Sequence, residues 1–181
     1  MDLKCSNTEK NLYKTFAGEC RACVRYKLYA EKAREDGYVC IAKVYEDISK
    51  NELAHAREVY KKYLKKIKST EKNLVDAALG EAKESEYLYK KFEKEAKEEG
   101  FEEISDFYEE LSEVEEWHKE KFMELAKEVK DDTIFKCKEN CKEKCYFECL
   151  NCGYIYEGEE APEKCPLCKY PKSYFKKIGE K

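Results

Sequence analysis

Apolar and aromatic side chains recur at helical intervals along the first 130 residues, and beyond them the pattern breaks. Leu12, Phe16, Tyr26, Leu28 and Tyr29 follow Ser6-x-x-Glu9, which has the spacing of an N-terminal capping box. Gly37 offers a left-handed stop, so the first helix is expected over about 8–36. Ile41, Val44, Tyr45, Ile48 and Leu53 mark the inner side of a second helix over about 39–67. Ser69-Thr70 is a break, a third helix takes about 71–98 as far as Gly100, and a fourth takes about 102–129. The short connections at Gly37 and Gly100 impose antiparallel hairpins. The fold class that follows is mainly α, with an antiparallel four-helix bundle over residues 1–130.

The two hairpins repeat each other. Ala30 to Tyr38 aligns with Glu93 to Phe101, and Glu52/His55 then fall on Glu115/His118, at an offset of 63 residues. Ala17-Gly18-Glu19 is echoed by Leu79-Gly80-Glu81, one residue out of step. These are the chain's only two histidines, and each stands three places after a glutamate in a Gly-free, Pro-free helical segment. Positions i and i+3 lie roughly 60° apart around a helix and about 4.5 Å along it, so carboxylate and imidazole reach one metal ion together. Glu19 and Glu81 sit in small or apolar runs, as a buried face would, and Glu84 follows Glu81 by one turn. A hard cation taken from water needs such anionic oxygen and imidazole ligands. The set resembles that of ferritin-like di-iron carboxylate proteins.

Past Lys130 glycine and proline become common, and Cys149-x-x-Cys152-Gly153 and Cys165-Pro166-x-Cys168 form two knuckles separated by twelve residues. Four thiolates so spaced make a tetrahedral zinc or iron site, and spacing alone leaves the metal open. A domain of about 35 residues is too small to rely on its own core, so the metal also folds it. The expected division is a helical domain over 1–130, a Cys/Lys-rich linker over 131–147 and a metal domain over 148–181. Seven cysteines remain: Cys5, Cys20, Cys23, Cys40, Cys137, Cys141 and Cys145. The bland reading makes them small buried apolar residues, but Cys20 adjoins Glu19, Cys23 follows it by one turn, and the two are open to oxidation to a mutual disulfide. Cys137, Cys141, Cys145 and Cys149 recur every fourth residue and form one stripe if helical, where nearby lysines favour a redox or extra metal role.

Composition narrows the partners. Thirty-six basic against 40 acidic residues leave a net charge of −4, which provides no footprint for nucleic acid. No apolar run approaches the roughly 18 residues of a membrane span, and Met1 to Cys5 lacks the apolar core of a signal peptide, so no membrane partner and a cytoplasmic location are expected. Eleven cysteines in that setting point to metal ligands or redox thiols ahead of a disulfide framework.

Phe16-Ala-Gly-Glu19, Arg25-Tyr26, Ala33-Arg-Glu-Asp-Gly37-Tyr, Glu52-x-x-His55, Gly80-Glu81-x-x-Glu84, Gly100-Phe-Glu-Glu-Ile104 and Glu115-Glu-Trp-His118 together resemble rubrerythrin. The run Tyr146 to Tyr156 with Glu160 to Cys168 resembles the rubredoxin-like domain that ends such proteins and favours iron there, with zinc an alternative on expression. The resemblance implies two non-haem irons bridged by Glu52 and Glu115, with Glu19 and Glu81 terminal and His118 on one iron. It implies that one iron shifts between His55 and Glu84 with oxidation state, that Tyr26 hydrogen-bonds near the site, and that subunits pair head to tail as a homodimer or higher homo-oligomer. The activity expected is reduction of hydrogen peroxide to water in oxidative-stress protection. Electrons would arrive through Cys149, Cys152, Cys165 and Cys168 from an NAD(P)H-dependent reductase or a rubredoxin, since the chain has no Gly-rich dinucleotide fingerprint. An iron-storage ferroxidase and a non-enzymatic electron carrier are the alternatives; the first needs no such tail, and the second has no use for paired Glu-x-x-His motifs.

Overall fold

The computed structural model describes residues 3–137 and 145–180. Helix α1 (Asn7–Glu35) packs antiparallel on α2 (Val39–Arg57), which continues into a π-helical turn, Glu58–Tyr63. Helix α3 (Thr70–Lys83) passes through a second π turn, Glu84–Leu88, into α4 (Tyr89–Glu98), and α5 (Glu102–Lys130) runs back along both. The helices therefore match the four expected rods, the third being an α–π–α run. The chain forms two compact units, Met1–Lys68 and Ser69–Lys181, each described by itself.

Local chemistry sets the helix ends. The Ser6 hydroxyl accepts from the Glu9 N–H at 3.0 Å, and Glu9 accepts in return from the Cys5 N–H. Gly37 and Gly100 both adopt φ of +83°, a conformation costly for any residue with a Cβ, and the following N–H reaches back to Ala33 O or Ala96 O. That shared C-terminal motif turns each helix into its partner within a few residues.

The seam inside each unit is built from small side chains. Ala30, Ala42, Ser49 and Ala56 are buried in the first unit and Ala78, Ala96, Ser105, Ser112 and Ala126 in the second. Ser49 donates to Cys23 O and Ser112 to Ser85 O, both at 2.8 Å, so the same cross-helix bond occurs once in each unit. The large residues expected on the inner side of α2 are not the ones buried there: Ile41, Val44, Ile48 and Leu53 are 40–57% exposed. Small residues let the backbones approach closely, which leaves the larger neighbours at the margins of the seam.

At the C-terminal end, β1 (Cys145–Cys149) lies between β2 (Ile155–Gly158) and β3 (Phe175–Glu180), antiparallel to both. Cys145, Phe147 and Cys149 are wholly buried and alternate with Tyr146 and Glu148. This corrects the expected helical stripe: the residues around Cys145 and Cys149 follow a period of two, as a half-buried strand does. Strand β1 takes up the last three residues of the expected linker. Cys141 lies outside the described residues. No helix among the described residues is long and apolar enough to cross a membrane.

Candidate metal centres

The first unit brings Glu19, Glu52 and His55 together, and the second brings Glu81, Glu115 and His118 together; in each set one ligand atom per residue lies within 4.8 Å of the others. In α2, His55 Nδ1 stands 3.0 Å from Glu52 Oε2 and 3.5 Å from Glu19 Oε2. In α5, His118 Nδ1 stands 2.7 Å from Glu115 Oε2. The i, i+3 spacing makes each His–Glu pair local, and the small-residue seam brings the third carboxylate in from the facing helix.

The donor chemistry fits a metal. Burial, followed by the hydrogen bond and repulsion from Glu115, raises the Glu81 carboxyl above the ordinary carboxylate value. A divalent cation bound between two carboxylates so placed would offset that repulsion. Each set alone offers fewer donors than an iron ion normally takes.

Glu84 stands at the head of the second π turn. Tyr89 Oη donates to its Oε2 at 3.1 Å, and burial followed by that carboxylate pushes the Tyr89 phenol up to about 12. Sequence reasoning missed Tyr89, although it lies 63 residues after Tyr26, the offset of the Glu-x-x-His pairs. The Tyr26 ring packs against Tyr29 and Tyr45, just as that of Tyr89 packs against Phe92 and Tyr108.

Cys149, Cys152, Cys165 and Cys168 converge at the end of the sheet, with Sγ–Sγ separations of 3.7 Å for Cys149–Cys168 and for Cys152–Cys165. A tetrahedral ion with metal–sulfur bonds of about 2.3 Å requires sulfur–sulfur edges of about 3.8 Å, so the cage already has metal-binding dimensions. The two knuckles are built alike. Cys149 N donates to Tyr154 O and Cys165 N to Tyr170 O, both at 2.8 Å, and Gly153 and Lys169 take φ of +72° and +64°. The turn aims backbone N–H groups at sulfur. That of Tyr170, aided by the Asn151 side chain, brings the Cys168 thiol down to about 6. Cys152 is held down by the Tyr154 N–H but pushed up more strongly by burial and the other sulfurs, to about 12. Four sulfurs at these separations are a ready ligand set for a cation.

The other cysteines divide. Cys23 is buried and meets Ser49 Oγ at 3.4 Å, Cys20 is partly buried, and Cys5 and Cys40 are exposed; all four are free. Burial, then Cys23 and Glu19, raises the Cys20 thiol, which opposes thiolate chemistry there. Cys137 and Cys145 form a disulfide.

The rubrerythrin family model matches residues 10–126, and the model of the rubrerythrin rubredoxin-like domain matches residues 147–176. Over 190 residues the chain is 35% identical to rubrerythrin of Nitratidesulfovibrio vulgaris, covering 98% of this chain and 97% of the other. It is 37% identical over 195 residues to rubrerythrin of Clostridium perfringens, at 98% and 97% coverage. It is 30% identical over 184 residues to nigerythrin of N. vulgaris, covering 93% of this chain and 85% of that one.

Proposed function

The chain belongs to the rubrerythrin family, and from that premise we propose that it reduces hydrogen peroxide to water, with electrons entering through the Cys149/Cys152/Cys165/Cys168 iron from a separate NAD(P)H-dependent reductase or a rubredoxin. Its cofactors are two non-haem irons and one thiolate-bound iron. The observation that carries the reading is the duplication: two triads of like geometry in a chain that also holds a tetrathiolate cage. Two ferrous ions, when bound, supply two electrons and the positive charge that stabilises the oxygens parting from each other.

The protein's own side chains do the rest. The Glu52 side chain is 18% exposed against 25% for Glu19, and that of Glu115 is 13% exposed; these two carboxylates would take the bridging role. Glu19 and Glu81 would hold the irons with them, His118 would ligate one iron, and His55 and Glu84 would be the alternative ligands of the other. Tyr89, its phenol held protonated at neutral pH, keeps a proton on Oη beside Glu84 and orients that carboxylate. Glu84 has no equivalent in the first triad, where the matching position is Ala22. A head-to-tail homodimer accompanies this reading, and the half-exposed Val44, Ile48 and Leu53 are apolar surface of the kind association covers.

The test is anaerobic. Reduced, iron-loaded protein is mixed with one equivalent of hydrogen peroxide, and the ferric-thiolate band is followed by stopped flow. Rapid return of the band, abolished by Glu115→Ala, is the expected result. A band that stays bleached while the protein oxidises added Fe(II) with oxygen would assign the bundle to iron storage instead.

A further inference from the structure

The Cys137–Cys145 disulfide is not part of either metal centre, and its position gives it something to control. Cys145 opens β1 on the inward face that also carries Phe147 and the iron ligand Cys149, and all three are fully buried. Cys137 belongs to the chain segment that leaves α5, which packs against the same cluster through Phe135 and Cys137. This segment forms a short extra edge beside 159–161, the chain that follows β2: Lys136 bridges Glu160, Cys137 N donates to Glu159 O and Ala161 N donates to Phe135 O, both at 2.8 Å. Lys177 of β3 joins the parts. Its ammonium reaches Lys136 O at 3.2 Å and Glu128 Oε1 of α5 at 3.0 Å, in an ion pair whose side chains are each only 16% exposed. The disulfide, the edge hydrogen bonds and Lys177 therefore hold the iron–thiolate sheet against the end of its own α5.

The two sulfurs differ in access. Cys145 is wholly buried, whereas Cys137 is only partly so, which makes Cys137 Sγ the atom an incoming thiolate can attack. We infer that Cys137–Cys145 is a thiol–disulfide exchange site for a dithiol reductant, and that its closed form clamps the Phe135–Cys137 edge, and with it the iron–thiolate sheet, to α5. In the forward step a thiolate of the reductant bonds to Cys137 Sγ, the Cys137–Cys145 bond breaks, and Cys145 leaves and takes a proton. The reductant's second thiol then displaces Cys137, which is protonated in turn, and the reductant departs as its own disulfide. Two electrons and two protons have moved to the protein, and an oxidised dithiol reverses the sequence. The reduced edge retains its two backbone bonds, the packing of Phe135 and the Lys177 contact. The inference is independent of the peroxidase reading.

The test uses full-length, iron-loaded protein equilibrated anaerobically in mixtures of reduced and oxidised dithiothreitol, then divided between thiol alkylation with peptide mass mapping and deuterium exchange by mass spectrometry. Cys137 and Cys145 are expected to convert together as a two-electron pair, while exposed, free Cys5 and Cys40 alkylate at every ratio. On reduction, deuterium uptake in 133–137 and 159–161 should quicken at least tenfold, with uptake in 165–170 unchanged. C137S should show the fast uptake at every ratio. Alkylation of Cys137 and Cys145 at every ratio would overturn the exchange site. A pair that interconverts without changing uptake, or with equal quickening in 165–170, would overturn the clamp; the wild-type comparison alone decides this if C137S does not load iron.

Discussion

Glu81→Gln should make the metal-free protein more stable at neutral pH while weakening its hold on iron. Glu81 and Glu115 present oxygens within 4.8 Å of each other, and the Glu115 side chain is only 13% exposed. Two unit charges at that separation repel by about 0.9 kcal/mol in water and about 3.5 kcal/mol at an effective dielectric of 20, so a partly buried pair costs about 1–3 kcal/mol. Burial, then Glu115, lifts the Glu81 pKa above 4.5. The folded state consequently binds this proton more tightly than the unfolded chain does. The associated stability is fully present below the unfolded value and is lost as pH rises through the lifted folded value. Glutamine keeps the shape, removes the charge and can donate an N–H to Glu115. Denaturant unfolding of chelator-treated proteins, followed by far-UV circular dichroism, should show the variant about 1–3 kcal/mol more stable at pH 7. The gain should vanish near pH 4, where the wild-type group is protonated. Loss of the C-terminal metal affects both proteins equally and cancels in the difference. A variant no more stable than wild type at pH 7, or a gain that persists at pH 4, would refute the claim that crowded like charges limit the stability of the empty site.

Three further outcomes follow from named contacts. Gly153→Ala forces a Cβ into a left-handed turn, so the iron-loaded C-terminal domain should lose about 1–2 kcal/mol in guanidinium unfolding followed by its visible band. Tyr89→Phe removes the hydrogen bond that orients Glu84, worth about 1 kcal/mol, and should slow return of the ferric-thiolate band after peroxide without altering the C-terminal cage. Ser112→Ala deletes a buried cross-helix bond to Ser85 O and should cost about 1 kcal/mol, a fall of about 2–4 °C in Tm by calorimetry.

How much of this was legible in the sequence depended on how local the geometry is. Glu52/His55 and Glu115/His118 meet because i and i+3 on one helix always do, and the two cysteines within each Cys-x-x-Cys knuckle are neighbours for a similarly local reason. The helix ends at Gly37 and Gly100 were equally readable, since positive φ is written in the residue itself. What failed was inference from hydrophobicity alone. Ile41, Val44, Ile48 and Leu53 looked like the inner side of α2, but Ala42, Ser49 and Ala56 occupy the seam because close backbone approach favours small groups. The spacing of Cys137, Cys145 and Cys149 matched a helix as well as it matched a strand with a disulfide. Alternation across Cys145-Tyr146-Phe147-Glu148-Cys149 was the signal that separated the two.

The one-residue slip between the hairpins carried more information than the repeat itself. Glu19 matches Glu81 and Cys23 matches Ser85 at an offset of 62, while Tyr26 matches Tyr89 and Tyr45 matches Tyr108 at 63. The extra residue must therefore lie between Ser85 and Tyr89, and the structure accommodates it in the π turn Glu84–Leu88, where the Tyr89 N–H bonds to Glu84 O. A π turn absorbs one residue without breaking the rod. At its start, Ser85 keeps its bond from Ser112; just past its end, Tyr89 keeps its ring against Tyr108. An uninterrupted α-helix would rotate one of those two contacts by about 100° away from α5. The turn thus lets the second unit keep both contacts that the first unit has, while Glu84, joined to Tyr89 across it, adds a carboxylate beside one triad where the other has Ala22.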